Sequence, residues 1–299
     1  MEERYQKTRL IGKGRAGEVH EGLDSLMSRK VVIRRFPDHK LELDGLSEEW
    51  KSNFESLICG LSRMNHPSLL GLIDGGLDAD GPYLISSYIE GKSLSDLAHA
   101  DDDDFSIVDV YEMAEQMLDA LIMAEQEGFY HLAFSPSSII AQPKFPRGYT
   151  YVLADLGHSK LIPMIHGQEK IVAMTQHPVL LAPELYEGRP QGGKTTQYIL
   201  GNLLYWLLAH GHPFADLSLE EAYQHHKIGA LESLLNFRLE VPKDFVRWLN
   251  VLMQPDPAKR YETLYEALQA MPEAPKRIYA KKVVMPPKPI SEADLSATA

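Results

Sequence analysis

Gly12-Lys13-Gly14-Arg15-Ala16-Gly17-Glu18-Val19 lies where one predicted strand ends and another begins. Glycines at this spacing let a backbone approach phosphate groups closely. The same pattern between a strand and a helix would mark a dinucleotide fold. Here no helical period follows directly. β-type runs cover residues 5–20 and 30–36, most clearly at Val31-Val32-Ile33. The segment therefore reads as a glycine-rich turn inside a sheet. A tight β-turn needs some of these glycines whether or not phosphate is present.

Working outward, Trp50 to Met64 has helical spacing, with Phe54, Leu57, Ile58 and Leu61 on one face. Asn65-His66-Pro67 stops it. Leu69–Ile73 and Tyr83–Ile89 read as two more strands, punctuated by Gly75-Gly76 and Asp80-Gly81-Pro82. Residues 1–90 are thus mostly β with one helix. From Ser93 onward the pattern is helical, with a long amphipathic stretch over Val108–Glu127. Tyr198–Ala209 is a nearly continuous apolar run of 12 residues, which suits a buried core helix. A membrane span needs about 20. Asp101–Asp104 reads as a solvated acidic loop. From Pro272 to Ala299 prolines and basic residues gather, including Lys276, Arg277, Lys281, Lys282 and Lys288. Such a tail is either an extended linker or a basic strap for the acidic body or a partner.

The chain has 299 residues, 44% hydrophobic and 24% charged, enough for a large core. Its net charge of −12 argues against nucleic-acid or anionic-membrane binding, because those partners carry the same sign. Cys59 is the only cysteine, which excludes an intrachain disulfide and a cysteine metal cluster. The polar start MEERYQKTRL has no secretory character, and together these features suggest the cytoplasm, or a cytoplasmic portion of something larger. His210, His212, His225 and His226 lack zinc-type company and read as structural.

Further landmarks follow the glycine segment in a fixed order. Val31-Val32-Ile33-Arg34 is followed by Asn65-His66-Pro67 and by Tyr83–Gly91. Then come Tyr130-His131-Leu132-Ala133-Phe134-Ser135-Pro136-Ser137-Ser138-Ile139-Ile140, Asp155-Leu156-Gly157, Ala182-Pro183-Glu184, His212-Pro213-Phe214 and Pro255–Arg260. In this order they resemble the protein-kinase superfamily, most of all its bacterial Ser/Thr kinases, over residues 5–271. The resemblance implies an α+β bilobal fold. Its β-rich N-lobe, about residues 5–87, would hold one regulatory helix. Its mainly helical C-lobe would cover about 92–271, with the tail 272–299 outside. It also implies a buried Glu184–Arg260 pair and a hydrophobic column through Leu61, Leu72, His131 and Leu156.

The residues that would perform phosphoryl transfer in that family differ here. Arg34 stands at the phosphate-binding Lys. Leu57, nine residues before His66, stands where the helix Glu would pair with it, and Glu55 points elsewhere. Ala133 replaces the catalytic Asp and cannot accept a proton. Losing a general base typically costs roughly 10²–10⁴-fold in rate. Ser135 replaces the loop Lys, and Ser138 the metal-binding Asn. His177 replaces a Thr that bonds the catalytic loop, and Thr196 an Asp that anchors it. The resemblance with these losses implies a pseudokinase.

Nucleotide binding stays open on these residues. The cleft would be formed by Gly12, Gly14, Gly17, Val19, Val32, Arg34, Ile140 and Asp155. It would hold ATP or ADP, with Mg2+ or Mn2+ on Asp155. Against this, Val32 narrows the slot, Ala16 is small, and Arg15 folded under its loop would fill the phosphate site. Three functions compete. The first is a signalling scaffold or allosteric partner that docks a protein, an active kinase among the candidates. The second is a nucleotide-binding switch. The third is an enzyme with residual or atypical ATP-dependent transfer, for which His131 and His158 are the nearby bases.

Overall fold

Alternation along residues 29–35 sets the first sheet. Val31 and Ile33 are fully buried, whereas Val32 and Arg34 share the opposite, partly open face. A computed structural model describes residues 4–14, 17–36, 47–98, 106–145, 148–166, 172 and 178–275. Strands β1 (Tyr5–Gly14), β2 (Gly17–Asp24) and β3 (Arg29–Arg35) form an antiparallel meander. Helix α1 (Glu48–Arg63) follows, and β4 (Leu72–Asp78) and β5 (Gly81–Ser87) complete a sheet of order β1-β2-β3-β5-β4. Tyr5, Val31, Ile33 and Ile85 form its core.

Register explains one of the glycines without any ligand. Gly14 pairs with Gly17, and Gly12 with Val19. Gly17 has φ +127°, and a Cβ there would lie 2.0 Å from the carbonyl oxygen of Arg35. At Gly12 the nearest atom to an added Cβ is 4.0 Å away. Gly17→Ala should therefore lose about 1–3 kcal/mol of stability through backbone collision, while Gly12→Ala leaves it nearly unchanged. Urea unfolding of the two variants checks this. Equal losses would show that the sheet does not discriminate between the two sites.

Helix α1 begins two residues before Trp50. Ser47 caps it, its hydroxyl accepting from the Trp50 N–H at 3.1 Å. Phe54, Leu57 and Leu61 form its buried face. The Trp50 indole N–H donates to the Met164 carbonyl at 3.1 Å.

Two strand assignments need correction. Strand β4 starts at Leu72, and Gly75-Gly76 lie inside it rather than in a link. Their lack of a side chain admits neighbours. A Cβ on Gly75 would meet Ile58 at 3.0 Å, and one on Gly76 would meet the Tyr83 hydroxyl at 2.8 Å. Leu69 instead makes a single parallel bridge with Leu153. Strand β5 runs from Gly81 to Ser87, so Gly81 and Pro82 belong to it and Ile89 does not.

Next come β6 (Lys92–Ser93), α2 (Leu94–Ala98) and α3 (Ile107–Gln126). Strands β7 (Ile139–Pro143) and β8 (Tyr149–Leu153) join β6 in a second antiparallel sheet, followed by α4 (His158–His166). The rest is helical: α5 (Pro183–Tyr186), α6 (Gly193–Ala209), α7 (Leu219–Ile228), α8 (Lys243–Leu252) and α9 (Leu264–Gln269). The fold is α+β, with a β-rich first lobe carrying one helix and a helical second lobe. By compactness the chain divides into Met1–Leu97 with Glu115–Pro178, and Ala98–Ala114 with Val179–Ala299.

In the second unit α6 is buried along almost its whole length, which explains the unbroken apolar run over Tyr198–Ala209. The Tyr111 and Phe245 rings pack 4.3 Å apart. Glu184 and Arg260 meet in two bonds, Nη1 to Oε1 at 2.6 Å and Nη2 to Oε2 at 3.0 Å. Among the described residues no helix is long and apolar enough to cross a membrane. The Asp101–Asp104 loop, Arg15, Ala16, His177 and the tail from residue 276 lie outside the described residues.

Candidate functional site

Strand β3 carries Arg34 between Val19 of β2 and Leu84 of β5. Asp155 follows β8 with φ +66°, a left-handed conformation that aspartate tolerates better than most residues. The two meet: Arg34 Nη2 donates to Asp155 Oδ1 at 2.5 Å. Their side chains are 17% and 21% exposed, so the pair is largely shielded from solvent. Leu57 is buried on α1, and Glu55 is exposed. Arg34, with no acidic partner at Leu57, has taken the carboxylate after β8. The sequence reading treated Arg34 and Asp155 as separate ligands for phosphate and metal and missed this pairing. The signal was present: Leu57 leaves a cation without its helix acid, and Asp155 is the one carboxylate the landmarks place nearby.

The loop before β7 holds Ala133, whose methyl group is half-buried and supplies neither donor nor acceptor. Behind it, Ser135 and Ser138 are buried and bond to one another. The Ser138 hydroxyl accepts from the Ser135 N–H at 2.7 Å and contacts the Ser135 carbonyl at 3.1 Å. The Ser135 hydroxyl meets that of Ser137 at 2.9 Å. These hydroxyls cap the short 3-10 turn Pro136–Ser138.

His131 Nε2 donates to the Ala154 carbonyl at 3.0 Å. Burial pushes its pKa down to about 4, against the smaller opposing pull of Asp155. The ring is therefore uncharged at neutral pH, with its Nε2 proton committed to that carbonyl. Thr196, in the other unit, spends its hydroxyl on the Gly192 carbonyl one helical turn back, at 3.2 Å.

Val32, Arg34, Leu61, Leu72, Asp155 and Leu156 share one cavity of about 50 Å3. Three members of the anticipated hydrophobic column thus line a common space; His131 is buried but outside this lining. Small-molecule sites usually enclose about 300–1,000 Å3, so this cavity takes at most a water or two. Gly12, Gly17 and Val19 lie on the neighbouring strands, and Gly14 closes β1. Ile140 is half-buried on β7, paired with Val152. A larger groove of about 970 Å3 runs between α1 and α4 past Cys59, Phe129 and Lys160, but neither Arg34 nor Asp155 reaches it.

The resemblance implies a divalent metal at Asp155, and the residues present do not fit one. Mg2+ and its relatives require several oxygen ligands. Here the guanidinium already occupies Asp155, and the Ser138 hydroxyl is committed to the backbone. No cluster of three or more acidic, histidine or cysteine ligands occurs among the described residues.

Residues 5–272 match the family described as the protein kinase domain. The chain is 25% identical over 237 residues to the serine/threonine-protein kinase PknB of Mycolicibacterium smegmatis, covering 75% of this chain and 36% of that protein. It is 24% identical to the serine/threonine-protein kinase pkn2 of Myxococcus xanthus, covering 92% of this chain and 33% of that one. It is 26% identical to the serine/threonine-protein kinase nekl-2 of Caenorhabditis elegans, over 68% and 57%. The chain thus spans only about a third to somewhat over half of these relatives. The crystal structure of the Mycobacterium tuberculosis PknI kinase domain superposes with a TM-score of 0.66 at 21% identity, over 89% of this chain and 94% of that one. The order of the landmarks, the sheet and the match across nearly the whole described fold lead to one conclusion: the chain belongs to the protein kinase family.

Proposed function

We propose that this chain is a pseudokinase that works by docking a protein partner in a cytoplasmic signalling assembly, an active kinase being one candidate. The observation that carries this reading is Ala133 at the position of the catalytic base, with the Ser138 hydroxyl spent on the Ser135 backbone and the Ser135 hydroxyl against that of Ser137. Phosphoryl transfer depends on positioning and charge stabilisation rather than on covalent steps by the protein. A loop with no base, no cation and no free hydroxyl offers little of either. The fold is kept by groups outside that loop, among them the Glu184–Arg260 pair. Retaining a skeleton without its chemistry suits a binding role, since function resides in sites rather than folds.

Labelled ATP tests the reading. With Mg2+ or Mn2+ and a mixture of protein substrates, transfer should not exceed that of Asp155→Ala. Ala133→Asp alone should not raise it, because Leu57, Ser135 and Ser138 remain. Transfer by the wild-type chain that disappears in Asp155→Ala would overturn the proposal.

A further inference from the structure

We infer that Arg34 takes the place of a divalent cation on Asp155, so that this cleft binds the phosphates of a nucleoside di- or triphosphate without metal. The inference rests on reading Gly12, Gly17, Val19 and Asp155 as parts of a degenerate nucleotide cleft. It reverses the metal dependence that such a cleft would ordinarily have.

The first support is the 2.5 Å contact itself. A guanidinium is always charged and carries five N–H donors in a fixed plane. One edge is spent on Asp155. The remaining donors make no other hydrogen bond among the described residues, and the side chain keeps some solvent access. A planar fork held by one carboxylate is suited to grip a phosphate on its other edge.

The second support is the fate of the other basic side chains nearby. Lys13 pairs with Glu18 at 2.9 Å, and His20 meets the same carboxylate at 3.2 Å. Arg35 is buried against Asp78 at 2.5 Å. Arg34 is therefore the cation of this sheet that faces Asp155, under the strands carrying Gly12 and Gly17.

The third support is electrostatic. A divalent ion on Asp155 would have to displace Arg34 or sit beside it. Either arrangement leaves up to three positive charges around one carboxylate in a shielded site. The cavity of about 50 Å3 beside the pair is too small for a nucleobase, so the inference concerns the phosphates alone.

ADP is the probe, because it cannot act as a γ-phosphoryl donor and so separates this site from any transfer activity. Wild-type protein is melted with millimolar ADP in EDTA and again in excess Mg2+. The expected result is a rise in Tm in EDTA at least as large as that in Mg2+. Arg34→Gln should weaken ADP about 10- to 100-fold, the usual worth of a charge-assisted contact. Asp155→Asn should keep or strengthen binding in EDTA, because it frees the guanidinium. Binding that requires Mg2+, binding indifferent to Arg34→Gln, or no ADP shift in either buffer would each overturn the inference. The wild-type comparison alone decides the matter if a variant fails to fold. Failure here would leave the pseudokinase reading intact, since that reading is overturned only by transfer from ATP.

Discussion

Arg260→Met is expected to lower stability by about 3–5 kcal/mol, the usual consequence of removing one partner from a buried ion pair. The Arg260 guanidinium is fully buried, and Glu184 is 5% exposed. Besides its two bonds to Glu184, Arg260 donates to the carbonyls of Gln254 at 2.8 Å, Lys194 at 2.8 Å and Pro255 at 3.2 Å. It also lies 4.6 Å from the centre of the Tyr198 ring. Its removal leaves an uncompensated carboxylate, helped only by the Thr195 hydroxyl at 2.7 Å, and strands three carbonyls. Glu184→Gln should cost less, because the amide still accepts from the guanidinium and Arg260 keeps its carbonyl contacts. Thermal melting reads the difference: Arg260→Met should lower Tm by roughly 10 °C. A loss below about 1 kcal/mol would mean that the pair does not hold this unit together.

Acidification is expected to weaken the fold between pH 6.5 and 4, through three buried histidines. Burial pushes His131 and His226 down to about 4 and His212 to about 3. His226 Nε2 donates to the Val179 carbonyl at 2.7 Å, so its Nδ1 accepts from the Tyr198 hydroxyl at 2.8 Å. His212 Nδ1 accepts from the Phe214 N–H at 3.2 Å, which puts its proton on Nε2, an atom with no partner. A second proton on His212 would face the Phe214 N–H, and one on His226 would force the Tyr198 hydroxyl to give up its own donation. The unfolded chain takes up protons as pH falls below 6.5, and the folded chain does not until about 4. Stability is therefore full above 6.5 and declines through this window by about 1.4 kcal/mol per pH unit for each histidine. Carboxylates held low, such as Glu18 beside Lys13, lose their contribution at lower pH, below the ordinary glutamate range. His212→Asn keeps an acceptor for Phe214 and removes one titration, so it should reduce the slope by about a third. Urea midpoints at several pH values measure this. A flat profile over the window would contradict it.

How much of the site could be read from the chain depends on what each residue does. Ala133 is decisive in one dimension, because no surrounding structure gives a methyl group a proton to exchange. Leu57 is similar: its helical spacing alone removes an acid from the partner position. Gly17 was ambiguous between phosphate and turn, and the 2.0 Å approach to the Arg35 carbonyl shows that the sheet requires it on steric grounds. Gly75 and Gly76 misled, since glycine marks a link as readily as a close approach. Only the positions of Ile58 and Tyr83 distinguish the two. Ser138 stands at a metal-ligand position in the chain, but its hydroxyl lies on the Ser135 backbone, which only the fold shows.

The sequence alone determined the lobed kinase architecture, and it carries the expectation that the catalytic base, phosphate lysine and second metal ligand are replaced by Ala133, Arg34 and Ser138. Those are matters of residue identity and order, which spacing along the chain preserves. Tertiary structure decided what the remaining charges do. Arg34 and Asp155 are 121 positions apart, and nothing local brings them together. They meet because β3 and the turn after β8 converge, and because Leu57 left the guanidinium without its helix acid. A partly buried charge then settles on the nearest opposite charge, and the fold, rather than the local sequence, fixes which residue that is.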